Sequence, residues 1–511
     1  MNTKLLIESG KRKLRITHRL RPIDWDDQES PMLSATNIHY ELPERSRGIA
    51  IGGIGAIHLL ANHVGLAENI NDRVKVLKRH LPYFESDHVL NIAYNVMCGG
   101  RSLEDIEHLR NDEVYMDCLG AQRIPDPTTA GDFCRRFEEQ DVEDLMEASN
   151  ECRLKVWEQQ PDSFFEEAIV EADGTVVPTS GECKEGMDFN YHKKLWGYHP
   201  LLITLGNTGE PLFIVNRTGN RPSHEGAAER FDQALTLLCR AGFRKIIFRG
   251  DTDFSQTAYL DGWHQQGVEF VFGMGANPTL VGKAEELPET AWDMLSRKPK
   301  YSVKTAPRQR PENVKERVVQ EREFRNQHLL QEDIAEFNYS PVKCKETYRI
   351  VALRKHIDVE KGQQVLFTEY RYFFYITNLR NLPAEKIVEH ANKRCDQENK
   401  IAQLKDLRAL HSPVDNLVSN WAYMVMASLA WSLKAWYALL LPVSGRWREK
   451  HEAEKGAVLK MEFRTFLNAF IRMPAQIVRS GRRIVFRLLG WNRWQNVFLR
   501  ALGPLRAPAL C

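Results

Sequence analysis

Three carboxylates stand where chemistry on a phosphodiester would need them. Asp173 follows the apolar run Ala168 to Ala172 in Val-Glu-Ala-Asp-Gly-Thr, and Asp251 follows Lys245 to Arg249 in Arg-Gly-Asp-Thr-Asp-Phe. Carboxylates at strand ends can converge across a sheet, where hard divalent cations such as Mg²⁺ relieve their repulsion. Two such ions can activate a water or a 3′-hydroxyl and stabilise the leaving oxygen of an in-line displacement. An aspartate at one strand end is ordinarily a turn or cap residue, so the third group carries weight. In His-Ala-Asn-Lys-Arg-Cys-Asp-Gln-Glu-Asn-Lys-Ile-Ala-Gln-Leu-Lys, Arg394, Glu398 and Lys405 are spaced by four and seven residues. On a helix such offsets return to within about 40° of the start, so the three side chains share a face. A carboxylate flanked by two cations can bind a metal while Arg394 and Lys405 hold phosphates. The competing reading is a surface salt-bridge face. Asp396, two residues from Glu398, points elsewhere.

The elements that would position these groups begin near Phe165. Ala168 to Ala172, Pro200 to Leu205, Pro211 to Asn216, Lys245 to Arg249 and Val268 to Gly273 read as strands. Helices are expected at Glu225 to Ala241 and Ser255 to Gln266. Three strands, a helix, a strand, a helix and a strand make an α/β sheet. From about Asn277 to Phe367 the pattern is interrupted by Pro299, Pro307 and Pro311, with strand-like runs at Val318 to Phe324, Ala335 to Tyr339 and Tyr348 to Leu353. This reads as a β-rich insertion. Its segment Arg297 to Arg325 holds ten Lys or Arg against four Glu and suits either DNA backbone contact or a solvated loop. Tyr372 to Thr377 resumes the sheet, and Pro383 with Glu385 opens a long helix reaching about Lys405. An apolar helix from Leu417 packs behind it.

The first 160 residues read as helical, with candidates at Ala56 to Val64, Asp87 to Met97, Leu103 to Arg110 and Ala130 to Phe137. Ser102 with Asp105 resembles a capping box, and Thr128 or Thr129 can cap the last of these helices. Arg135 and Arg136 on that helix could dock on DNA. Gly48, Gly52, Gly53 and Gly55 lack the third glycine of a dinucleotide fingerprint and no P-loop Lys follows, so no nucleotide loop is expected. The expected divisions are 1–160 helical, 161–276 and 368–445 as two parts of one core, 277–367 the insertion, and 446–511 a basic helical region.

A 511-residue chain with 43% hydrophobic and 27% charged residues is globular, and too long for one core. Nine scattered cysteines without a close pair favour a reducing compartment and disfavour zinc. No long apolar core marks Met1 to Leu20, so no signal peptide is expected, and Asn420 and Lys434 interrupt the stretch Leu417 to Leu441, making it a core helix rather than a membrane span. The net charge of +2 hides an asymmetry: Phe463 to Cys511 holds nine Arg with no Lys or acid, leaving −7 for the remainder. Such a tail points to a polyanionic partner. Its Arg479, Arg482, Arg483 and Arg487 interleave with Ile477, Val478, Ile484, Val485 and Leu488 as an amphipathic segment, expected to serve DNA affinity or subunit assembly.

The spacing Arg394, Glu398, Lys405, preceded by an aspartate in Ala-Asp-Gly-Thr and another in Arg-Gly-Asp-x-x-Phe, resembles the DDE transposases of bacterial insertion sequences, in the group with a β insertion before the Glu helix. The resemblance is strong from about Phe165 to Leu441 and looser in the flanks. It implies an α/β fold with an RNase H-like catalytic core, the β-rich insertion and helical flanks. It also implies divalent-metal catalysis, with two Mg²⁺ or substituting Mn²⁺, and cut-and-paste movement of an element bounded by inverted repeats. Asp173, Asp251 and Glu398 then carry over as catalytic metal ligands, with Arg394 and Lys405 as DNA contacts. The implied partners are the double-stranded DNA of the element's ends and target, and a second copy of the chain, within a bacterial cytoplasm and at the nucleoid. Two positions depart from the related pattern: Ala391 stands where a Tyr precedes the Arg, and Asp253 where Gly is common. Asp253 is thereby a rival ligand to Asp251, and Glu171, on the strand face of Asp173, is a second. A nuclease without strand transfer and a non-catalytic DNA-binding derivative are the alternative functions.

Overall fold

Between Ala168 and Met274 the chain alternates short β-branched and aromatic runs with amphipathic helices, a pattern that buries both faces of a sheet. The computed structural model describes residues 3–22, 32, 39, 47–297, 314–323, 325–361, 364–480 and 483–506. Five strands form the central unit: β1 (Ala168–Gly174), β2 (Leu201–Leu205), β3 (Glu210–Val215), β4 (Ile246–Gly250) and β5 (Glu269–Met274). They lie in the order β3-β2-β1-β4-β5. β1, β4 and β5 run parallel, while β2 is antiparallel to both of its neighbours. Helices α2 (Ala227–Ala241) and α3 (Thr257–Gln265) make the two parallel crossovers. This order and these directions define an RNase H-like sheet.

The expected insertion extends the same sheet. β6 (Asp293–Met294), β7 (Arg325–Tyr339), β8 (Tyr348–Lys361) and β9 (Gln364–Thr377) follow one another antiparallel, and β9 pairs with β5 through Phe374↔Met274 to Thr377↔Val271. The nine strands therefore make one mixed sheet. The strand expected at Val318 to Phe324 is instead a helix, Val314–Glu321, with Phe324 outside the described residues. Lys315, Glu316, Arg317 and Gln320 lie among its Val residues and favour a helix over a period-two strand. Most of the basic run from 297 to 325 also lies outside the described residues.

Helix α6 (Leu417–Leu439) joins the sheet to the N-terminal helices and is buried along nearly its whole length. It packs against β3 on one side and against Glu85–Cys98 and α1 (Glu139–Trp157) on the other. At that junction the buried Glu210 of β3 accepts hydrogen bonds from Arg153 Nε at 3.0 Å, Trp157 Nε1 at 3.3 Å and Trp436 Nε1 at 2.7 Å. Desolvating a carboxylate is tolerable only with such a complete set of donors. Lys434 lies on the same helix, with its ammonium donating to the Leu459 carbonyl at 2.9 Å. No helix among the described residues is long and apolar enough to cross a membrane.

The N-terminal candidates fall on Ile54–His63, Glu85–Cys98, Ile106–Arg110 and Pro127–Cys134. Two local expectations are corrected. Asp126, not a threonine, caps Pro127–Cys134, its carboxylate accepting from the Thr129 N–H at 2.8 Å. Asp105 rather than Ser102 precedes the helix Ile106–Arg110, and its side chain reaches back to the Ser102 N–H at 3.0 Å. The long helix α1 was missed, its buried side chains being interleaved with acids.

The C-terminal stretch is not wholly helical. Ala475–Ser480 and Arg483–Leu488 pair as an antiparallel hairpin, to which Gly48–Ile49 adds a third strand. Two Ile-Val pairs, Ile477-Val478 and Ile484-Val485, favour strands, and this outweighs the helical amphipathicity read there. The preceding segment is core: Phe463 stacks on Trp431 at 3.9 Å between ring centroids, and Phe466 and Phe470 both meet Tyr437. This explains the glycine cluster. A Cβ on Gly53 would lie 1.7 Å from the Phe470 carbonyl oxygen, and its N–H bonds to Ile471 O at 3.1 Å.

Candidate active site

The register of β1 and β4 places the two aspartates side by side. Glu171 lies opposite Arg249 in the parallel pair, and Asp173 and Asp251 each follow two residues later, at neighbouring strand ends. Asp251 caps a short turn, Thr252–Phe254, its Oδ1 accepting from the Asp253 N–H at 2.9 Å. Glu398 comes from α5 (Cys395–Asp406), which faces the same edge.

The helix expected from Pro383 to Lys405 is two helices, α4 (Ala384–Asn392) and α5, meeting at Lys393 and Arg394. The cause lies in β4. The Arg249 guanidinium donates to the His390 carbonyl at 2.9 Å, and the Arg394 N–H bonds to Ala391 O instead of to His390. Arg394 keeps helical backbone angles at the start of α5, so the four-residue relation to Glu398 survives the break.

Arg394 sits among the carboxylates, 3.3 Å from Asp251 Oδ2 and 2.9 Å from Glu398 Oε1. Burial, then the charge of Asp251, pushes the Asp173 carboxyl up to about 7; Arg394 opposes the shift and Glu398 adds to it. Asp251 is raised too, chiefly by burial, against the pull of the Asp253 N–H and of Arg394. The three acids therefore share one electrostatic site. Among the described residues no three His, Cys, Asp or Glu side chains are drawn tightly enough to hold an ion as they stand. Arg394 occupies the space between two of these carboxylates and satisfies them.

Lys405 has a different setting. Its ammonium donates to Val176 O at 2.7 Å and to Thr175 Oγ1 at 3.3 Å, tying α5 to the segment that follows Asp173. Burial lowers it, and the charge of Lys193 adds to the effect. Asp253 is exposed on the turn, close enough to raise Asp251. Glu171 is fully buried: it pairs with the Arg249 guanidinium and, at 3.4 Å, with Lys400 of α5. Of the two N-terminal arginines, Arg135 is held by Asp132 and Asp415, both at 2.8 Å, and Arg136 is exposed.

Two groups beside the site escaped the sequence reading. His199 donates from Nδ1 to Arg221 O at 2.7 Å, which leaves Nε2 without the proton, and a Cβ on Gly174 would lie 3.0 Å from that nitrogen. Arg217, buried, donates to the His199 carbonyl at 2.9 Å and to three further carbonyls. A His-Pro pair opening β2 was the only signal available.

The sheet order and the carboxylates at its strand ends define an α/β protein with an RNase H-like core. Residues 49–509 match the family described as transposase DDE domain group 1, and the chain belongs to that family. No curated protein sequence matches it. Among solved structures it is similar to the piggyBac transposase in a cryo-EM synaptic complex with hairpin DNA, at 11% identity over 83% of each chain and a TM-score of 0.35. A likeness that distant carries no argument about this chain.

Proposed function

We propose that this transposase cleaves and rejoins the inverted-repeat ends of a bacterial insertion sequence by a cut-and-paste route. Asp173, Asp251 and Glu398 are its metal ligands, and Arg394 and Lys405 contact phosphate. The observation that carries the reading is the meeting of three carboxylates, from two adjacent parallel strands and one helix, around a single arginine.

The donor set fits hard divalent cations. All donors are carboxylate oxygens, and their mutual repulsion with partial burial is the state that a divalent charge relieves. Bound Mg²⁺ or Mn²⁺ supplies Lewis-acid stabilisation for in-line displacement at phosphorus. The residues do the rest. Asp173 would hold a divalent cation as the deprotonated carboxylate. Arg394, released from Asp251 and Glu398, turns to a phosphate oxygen. Lys405 offers phosphate the one ammonium proton not used on Val176 and Thr175. Glu171 is already neutralised by Arg249 and Lys400 and lies beneath the site as a brace. Asp251 is preferred over Asp253 because it directly follows β4 and interacts with both Arg394 and Asp173.

Two element ends must be held together for cut-and-paste movement, so a homodimer on intracellular DNA is part of the proposal. Incubating the purified chain with labelled element ends and Mg²⁺ tests it. Nicking followed by joining supports the reading; nicking alone gives a nuclease, and binding alone a non-catalytic derivative.

A further inference from the structure

A small hairpin stands between the two strands nearest Asp173. Asp188–Asn190 pairs with Leu195–Tyr198, and Tyr198 and Gly197 in turn pair with Val177 and Pro178, a few residues after Asp173. On its other side the chain passes through His199 and Pro200 into β2, which pairs with β1. The base of this hairpin is fixed. Tyr198 donates its hydroxyl to Glu185 O at 2.7 Å, Asn190 Nδ2 donates to Gly219 O at 2.8 Å, and a Cβ on Gly197 would fall 2.1 Å from the Val177 carbonyl oxygen.

Its tip exposes large aromatic rings. Tyr191 is 78% and Trp196 53% exposed, and Phe189 packs edge-on to both at 5.2 and 5.5 Å between centroids. Between them His192, Lys193 and Lys194 are exposed, and the run from Phe189 to Tyr198 contains no acid. Lys193 is close enough for its charge to depress that of Lys405, whose ammonium touches the segment after Asp173.

We propose that this hairpin grips an unpaired stretch of the DNA strand beside the carboxylates, with Trp196 and Tyr191 stacking on bases and Lys193 and Lys194 meeting the flanking phosphates. The inference rests on the DNA-processing function proposed above. Exposed aromatic faces interleaved with cations suit single-stranded nucleic acid: every base offers a π face and every linkage an anion. The absence of acids from Phe189 to Tyr198, beyond Asp188 at the base, makes the match one of charge as well as shape. Its rigid base makes it a preformed platform, which reduces the ordering cost of binding. A π face does not discriminate among bases, so the grip tolerates sequence.

A duplex bearing an unpaired 3′ 2-aminopurine, mixed with the full chain in EDTA, reads the contact without cleavage. Stacking quenches the fluorophore. The wild type and Glu398→Gln should both quench it. Tyr191→Ala/Trp196→Ala should lose the quenching and bind the overhang duplex about 10-fold more weakly, with binding to a blunt duplex unchanged. Tyr191→Phe/Trp196→Phe should behave as wild type, showing that the ring faces matter. Persistent quenching in the double alanine variant, or equal loss on blunt DNA, overturns the proposal. Undiminished cleavage by Glu398→Gln would sink the catalytic assignment while leaving the quenching result standing.

Discussion

Glu171 and Arg249 lie opposite each other on parallel strands, joined by a buried ion pair two residues before Asp173 and Asp251 respectively. The guanidinium also holds the His390 carbonyl at the break between α4 and α5, and Lys400 of α5 reaches Glu171. One buried carboxylate thus ties together the three elements that carry the acids of the site.

Glu171→Gln should therefore act through position. Leaving Arg249 and Lys400 without their counter-charge should destabilise the fold by about 3 kcal/mol or more, measured by urea unfolding. Cleavage should fall, yet the Mg²⁺ concentration giving half-maximal rate should stay where it is. A large rise in that concentration with stability intact would make Glu171 a ligand instead.

For the cations of α5, the measurement is the salt dependence of DNA-end binding. Arg394→Ala and Lys405→Met should each reduce the slope of log affinity against log salt by about one. Lys405→Met should also slow cleavage, because it frees the segment after Asp173 from its bond to Val176. An unchanged slope in both variants would mark them as internal charges only.

The arginine-rich tail cannot be removed as a free extension. Phe463, Phe466 and Phe470 are fully buried, and losing any one of them as Phe→Ala should cost about 3–5 kcal/mol. Truncation before Phe463 should leave a chain that does not fold cooperatively, as circular dichroism during heating would show. The contribution of the tail to DNA affinity is better tested with Arg483→Gln/Arg487→Gln, both exposed, which should weaken duplex binding without changing the melting temperature. A cooperatively folded truncation would contradict the burial of these three rings.

How much of this could be read beforehand follows from where each signal lies. The five core strands and two crossover helices are strong local patterns, and the three acids stand at their ends or on a helix with a defined face. The break at Arg394 was not legible, because it depends on a guanidinium from β4, far away in sequence. The same holds for the buried pairing of Glu171, whose partners Arg249 and Lys400 lie far away in sequence. The C-terminal hairpin had a signal in its two Ile-Val pairs, but the density of arginines suggested an amphipathic helix. The run Tyr191 to Trp196 was readable as aromatic and basic, but its nearness to Asp173 is a property of the sheet.

Lys434 gives a test of the core that does not involve the site. Burial lowers its ammonium to about 8 from the ordinary 10.5. The folded state therefore disfavours the charged form, and stability is reduced in full below pH 8 and restored as pH rises through 10.5. Lys434→Met should stabilise the protein by about 1–3 kcal/mol at pH 7, the loss of the bond to Leu459 O offsetting part of the gain. The difference from wild type should shrink between pH 8 and 10. A difference independent of pH would mean that the ammonium is not held in a low-dielectric environment.

The most direct test of the central claim is Mg²⁺-dependent cleavage of labelled element ends by Asp173→Asn, Asp251→Asn and Glu398→Gln, beside Asp253→Asn, with DNA binding measured on the same preparations. Each of the first three should lose about 100-fold or more in rate while still binding the ends, and Asp253→Asn should be far milder. Near-normal cleavage by any of the three, or equal loss in Asp253→Asn, would contradict the assignment of Asp173, Asp251 and Glu398 as the metal-binding set.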